Sequence, residues 1–177
     1  MNKIKIILFP LLLCYINLPA QFGTFKHNSK DVAIDLYAYN VEKSITNADS
    51  FEISIDSIHV KFKTSQDKIE ATSTFEKSNS ILYINCYLRN DSLLKVTIKE
   101  PSPLFTDMFS ASIFYIEDNK IFDEQYRCTV RPCMGIPLNK SIDELYGYNK
   151  YLRSDFLKSY IAELLKKIKP FRHPNQH

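Results

Sequence analysis

The sequence predicts an α+β fold, an antiparallel β-meander of about six strands packed against a C-terminal amphipathic helix. Three observations predict it. Residues 81–99, ILYINCYLRNDSLLKVTIK, alternate apolar and polar side chains on both sides of the break Arg89-Asn90-Asp91-Ser92, the period of two of a half-buried hairpin. Alternating runs recur between Phe51 and Phe75 and between Ile113 and Val130, separated by short polar clusters. From Ser154 to Lys169 the pattern becomes Phe156, Leu157, Tyr160, Ile161, Leu164, Leu165 and Ile168, one apolar stripe at helical spacing. A β-sandwich or small barrel with the same C-terminal helix is the alternative. The two separate on whether residues 29–45 are helix or strand.

At the N-terminus, Lys3 and Lys5, the apolar run Ile6 to Cys14 and then Leu18-Pro19-Ala20 match the three regions of a secretory signal peptide. The apolar run is too short to span a membrane. Cleavage is expected after Ala20, which divides the chain into a signal peptide (1–20), a single exported domain (21–170) and a flexible tail (171–177). Cys14 follows Leu13, where a lipoprotein signal wants a small residue, so no lipid anchor is expected there. Losing residues 1–20 removes two lysines and no acids, and the formal charge falls from +3 to +1. So neutral a chain has no electrostatic footprint for nucleic acid. About 157 residues remain, enough for one domain that buries roughly 68–70% of its unfolded surface without a disulfide framework.

From Ser29 to Ile45, residues Ala33, Ile34, Tyr37, Ala38, Val41 and Ile45 fit a helical face, with Ser29 as N-cap and Asp31 in the first turn. The same stretch also alternates as a strand. After the break Asn47-Ala48-Asp49-Ser50, residues Phe51, Ile53 and Ile55 change phase to Ile58, Val60 and Phe62. Either a bulge near Asp56-Ser57 or a tight turn there produces that shift. Ile69, Ala71, Ser73 and Phe75 form a weaker strand with Glu70 and Glu76 outward.

In the hairpin of residues 81–99, Leu82, Ile84, Cys86 and Leu88 face inward and Leu94, Val96 and Ile98 answer them. Parity then favours a three-residue loop, because a two-residue turn at Asn90-Asp91 opposes apolar to polar residues. The expected pairs are Cys86 with Leu94 and Ile84 with Val96, or the same set shifted by two. Glu100-Pro101-Ser102-Pro103 ends the strand. A looser second hairpin turns at Glu117-Asp118-Asn119-Lys120. Ser141-Ile142-Asp143-Glu144 is a capping box that starts a short helix reaching about Leu152. Lys166, Lys167 and Lys169 complement the dipole of the last helix, and Pro170 is expected to stop it.

Little in the chain carries catalytic chemistry. Three glycines and no tryptophan leave no glycine-rich phosphate loop. There is no G-x-S-x-G. A zinc site wants C-x-x-C or histidines near cysteines, and neither occurs, so no metal and no cofactor are expected. His173 and His177 have helical ligand spacing, but Pro174 lies between them. An oxidising compartment makes one disulfide natural among Cys86, Cys128 and Cys133. Cys128 with Cys133 is the candidate pair, since Pro132 can bend the strand end between them. Cys86 lies on the apolar face as a small hydrophobe.

The better functional candidate is the outward face of the hairpin. Tyr83, Asn85, Tyr87 and Arg89 stand there beside Lys95, Thr97 and Lys99, a mixture of aromatic and cationic groups suited to binding a partner. With the helical stripe covering the apolar face, this one is expected to remain free. The function expected is that of an exported, non-enzymatic envelope or secreted protein, periplasmic or outside the cell. It would bind a protein partner in the cell envelope as an accessory or inhibitor module; membrane contact is not required. The alternative is a carrier holding a small apolar ligand between sheet and helix, which needs a cavity that the side chains leave unfilled.

Overall fold

A computed structural model describes residues 29–44, 49–129 and 139–172. It comprises α1 (Ser29–Ser44), β1 (Asp49–Ile55), β2 (Ile58–Thr64), β3 (Lys68–Phe75), β4 (Ser80–Arg89), β5 (Ser92–Pro101), β6 (Phe109–Glu117), β7 (Lys120–Cys128), α2 (Ile142–Tyr146) and α3 (Ser154–Arg172). The strands pair antiparallel, each with its neighbour in sequence, in one open seven-stranded sheet. The α+β meander is therefore the fold, and the sheet does not close into a barrel. The strands number seven rather than six because Asp56-Ser57 is a tight turn: Asp56 takes φ 51° and Ile55 pairs with Ile58.

The hairpin β4–β5 solves its parity problem differently from the expected loop. Asn90 and Asp91, at φ 50° and 61°, form a two-residue turn of the primed kind, whose twist matches that of the strands. Leu88 opposes Leu93, but Tyr87 opposes Lys95, so Leu94 is an extra residue, a β-bulge. Past the bulge Cys86 faces Val96 and Ile84 faces Ile98, the expected pairs shifted by two. Hairpin β6–β7 repeats the device. Asp118 and Asn119 turn at φ 51° and 61°, Ile116 opposes Ile121, and Phe122 is the extra residue before Tyr115 meets Asp123.

One face of the sheet carries Val60, Phe62, Ile69, Leu82, Ile84, Cys86, Val96 and Ile98, and α3 buries it with Leu157, Tyr160, Ile161, Leu164 and Ile168. Leu164 and Ile168 are fully buried, each contributing roughly 1.5–3 kcal/mol. Ser73, a polar residue on this face, accepts a 2.6 Å hydrogen bond from the Tyr160 hydroxyl. α2 has the expected capping box, Ser141 with Glu144, but ends at Tyr146 rather than near Leu152. Gly147 caps it at φ 71°, where a Cβ would stand 2.9 Å from Pro103 Cγ.

Two expectations about the helices need correction. α3 does not stop at Pro170; Phe171 and Arg172 belong to it rather than to a tail. An interior proline costs a helix about 3 kcal/mol or more, and the last turn is held by tertiary contacts instead. The Phe171 ring lies 5.1 Å from that of Phe51 and 5.4 Å from that of Phe62. Arg172 donates to the Gln66 carbonyl at 2.8 Å and pairs with Asp91 at 3.1 Å. The second correction concerns the outer face of the sheet, which α1 partly covers. Ala38 and Val41 are buried there against Tyr87, with Tyr37 beside them, while Ala33, counted on the same helical face, is exposed. The signal peptide, Ile45, Cys133 and residues 173–177 lie outside the described residues.

Candidate functional site

The strand register sets the outer face out in rows. Lys68, Tyr87, Lys95, Tyr115 and Asp123 lie in one row across β3 to β7. The next is Lys63, Glu70, Asn85, Thr97, Ile113 and Gln125, and the third Lys61, Thr72, Tyr83, Lys99, Ala111 and Arg127. Since side chains alternate across a strand, all three rows point away from α3.

α1 crosses the first row and is fixed to it by charge. Glu42 accepts from Lys68 Nζ at 2.7 Å and from the Tyr87 hydroxyl at 2.5 Å. Asp35 accepts from Lys95 Nζ at 2.6 Å and from the Tyr115 hydroxyl at 3.0 Å. Lys68, only 2% exposed, is also paired with Glu70. The Tyr37 hydroxyl donates to the Leu88 carbonyl, and the Arg89 guanidinium lies 4.3 Å from the centre of the Tyr37 ring. Partial burial pushes the Glu42 carboxyl upward, but the bonds from Lys68 and Tyr87 and the Lys68 charge outweigh it and hold the group below the usual carboxylate range. Burial raises the Tyr87 hydroxyl well above its ordinary value, and its bond to Glu42 adds to this.

Of the residues nominated for partner binding, Tyr87, Arg89 and Lys95 are thus engaged by the protein's own helix. Tyr83, Asn85 and Lys99 stay open. Tyr83 is 48% exposed. Tyr83 and Asn85 line an open depression of about 410 Å³ together with Ser50, Lys61, Lys63, Glu70 and Thr72. Lys61 pairs with Glu52 at 3.0 Å, and its hydrogen bond to Glu52 holds that carboxyl below the usual range. Lys99 stands beside the depression with its ammonium 5.1 Å from the centre of the Phe109 ring. The surface is a polar, net cationic floor with one exposed aromatic ring. Lys61, Lys63 and Thr72 escape a reading of the 81–99 hairpin alone. Their signal is the outward parity of residues 58–64 and 68–75, which needs the β2–β3–β4 pairing to become a surface.

The other polar clusters do not form a better site. Glu100 is buried and accepts from the Asn149 amide at 2.8 Å; burial raises its carboxyl above the usual value. The space it shares with Ser110, Ser112, Tyr126 and Arg153 is about 10 Å³, room for about one water. Cys86 is fully buried and its thiol is pushed up to about 12 by burial, as befits a core residue. Cys128 is half-buried at the end of β7, and its proposed partner Cys133 lies outside the described residues. Among the described residues no three His, Cys, Asp or Glu side chains are placed to hold a metal ion, and no helix is long and apolar enough to cross a membrane. No protein-family model, curated protein or solved structure matches the chain.

Proposed function

We propose that the chain is an exported, non-enzymatic envelope or secreted protein that binds another protein, as an accessory or inhibitor, through the part of its outer sheet face that α1 leaves open. The observation that carries this reading is the depression between α1 and the β1 edge, where Tyr83, Asn85, Lys61 and Lys63 are presented on a rigid sheet. Among the described residues Lys63 is in no salt bridge, and Lys99 acts on Glu42 by charge alone, whereas Lys61 and Lys68 pair directly with Glu52, Glu42 and Glu70. The surplus charge suits a partner that offers carboxylates around an apolar contact for the tyrosine ring.

The test is a crosslinked pull-down from cell envelopes with the protein as bait, repeated with Tyr83→Ala and Lys99→Glu. Both positions are exposed, so folding should be unaffected, while affinity for a specific partner falls at least about tenfold, roughly 1.4 kcal/mol. Tyr87 is unsuitable for this purpose, because its ring is buried under α1. Recovery of no specific partner, together with a lipid retained in native mass spectrometry, would replace this reading with that of an apolar-ligand carrier.

A further inference from the structure

An open sheet has two edges, and among the described residues β1 and β7 each pair with one neighbour alone. β7 is the barer of the two. None of its residues is buried, and Ile121 and Tyr126 are 42% and 51% exposed. Its pairing with β6 fixes which backbone groups face outward. The Thr129 amide, just past the strand, donates to the Phe109 carbonyl at 2.9 Å. Alternate residues of a strand turn their N–H and C=O to opposite sides, and the pairing with β6 is regular from Asp123 to Cys128. Asp123, Gln125 and Arg127 therefore bond to β6, while Glu124, Tyr126 and Cys128 direct their N–H and C=O to the open edge, a template for one more strand.

We infer that this strand is β7 of a second copy, joined antiparallel about a two-fold axis through Gln125, so that the two sheets become one continuous sheet. Charge singles out both the occupant and the register. On the outer face β7 carries an acid, Asp123, and a base, Arg127, placed symmetrically about neutral Gln125, which donates to Asp123 at 3.0 Å and accepts from Arg127 at 2.7 Å. In this register Asp123 of each copy opposes Arg127 of the other. Glu124 opposes Tyr126, and each such pair exchanges both of its N–H to C=O bonds. Moving the axis to Glu124 sets two carboxylates against each other, and moving it to Tyr126 leaves no opposite charges paired. The charges that guard the edge against other strands thus admit this one. The β1 edge offers no such match, because its charged residues, Asp49 and Glu52, are both acidic. The proposed partner surface lies toward that other edge, so the two contacts are independent.

A contact between two edge strands lies at the small end of specific interfaces, below about 1,200 Å². Analytical ultracentrifugation of the wild-type protein should accordingly show a reversible monomer–dimer equilibrium. Asp123→Arg and Arg127→Asp, each alone, turn both attractions into repulsions and should weaken the dimer at least about tenfold. Mixed in equal amounts, the two variants should form a heterodimer as strong as the wild-type dimer, since the bases of one then meet the acids of the other. Misfolding cannot produce such a recovery. The proposal is overturned by a wild-type protein that stays monomeric at about 1 mM or grows past a dimer, by single variants that dimerise like the wild type, or by a mixture that stays monomeric.

Discussion

Lys68 is the residue on which the two sides of the outer face converge. Its ammonium is buried between Glu42 of α1 and Glu70 of its own strand, and lies 5.7 Å from the centre of the Tyr87 ring. A buried lysine is tolerated only with such partners, and removing it leaves carboxylates that are still partly in water. Lys68→Ala should therefore cost about 1–3 kcal/mol in urea unfolding, less than the loss of one member of a fully buried pair. Lys68→Met, which keeps the apolar stem and discards the charge, should cost less than Lys68→Ala; equal costs for the two variants would show that the ion pair, not packing of the stem, holds Lys68. Glu42 gives this site a pH dependence. Its carboxyl is held below the usual range in the folded protein, so its contribution is present above the unfolded value of about 4.3 and is lost as pH falls through the lower folded value. Hydrogen exchange of residues 29–44 should accelerate in acid before that of β3–β5. Glu42→Gln should flatten this dependence, and equal acid response in both proteins would remove Glu42 as its source.

At the level of elements, the two hairpins show what a turn demands of the strands it joins. Asn90-Asp91 and Asp118-Asn119 both hold two residues at positive φ, a conformation that costs ordinary residues about 1–2 kcal/mol and Asn or Asp less. A two-residue turn places apolar residues opposite polar ones, and the extra residues Leu94 and Phe122 restore the phase. Asn119→Gly supplies the favoured Asp-Gly turn and should stabilise the protein by up to about 1 kcal/mol, whereas Asn119→Val should destabilise it. Thermal unfolding of the two variants distinguishes them, and a lower melting temperature for Asn119→Gly would refute the turn assignment. Leu88 and Leu94 allowed parity to be read from the sequence, but not its remedy. Loop lengthening and a bulge satisfy the same alternation, and twist matching, a property of the paired strands, selects the bulge.

For the whole molecule, sequence-adjacent pairing organises the sheet while the two long helices tie distant parts of it together. α3 closes the fold at its far end, where Phe171 and Arg172 reach β1, β2 and the turns at Gln66 and Asp91. Ending the chain after Lys169 should destabilise the protein by about 1–3 kcal/mol, the range for losing a partly buried aromatic and a charge-assisted bond. Amide protection should fall first in β1 and β2, and unchanged protection there would return these residues to the status of a tail. The proposed partner surface also belongs to this scale. It comprises the part of one sheet face left by α1, assembled from β1 to β5, so no single segment spells it out.

Local periodicity by itself determined the sheet strands, the inward face from Leu82 to Ile98, the stripe of α3 and the capping box at Ser141, because each depends on side chains a few residues apart. The tertiary structure decided what covers each face. Residues 29–44 satisfy helix and strand patterns alike; α1 is the helix in which Asp35 and Glu42 reach Lys95 and Lys68. The sequence placed the residues proposed for binding all on one face, but only docking of α1 separated Tyr87, Arg89 and Lys95 from Tyr83, Asn85 and Lys99. Pro170 ends a helix in isolation, yet Phe171 and Arg172 extend it, because contacts with residues more than a hundred positions away outweigh a local cost. Such contacts leave no periodic trace in the sequence.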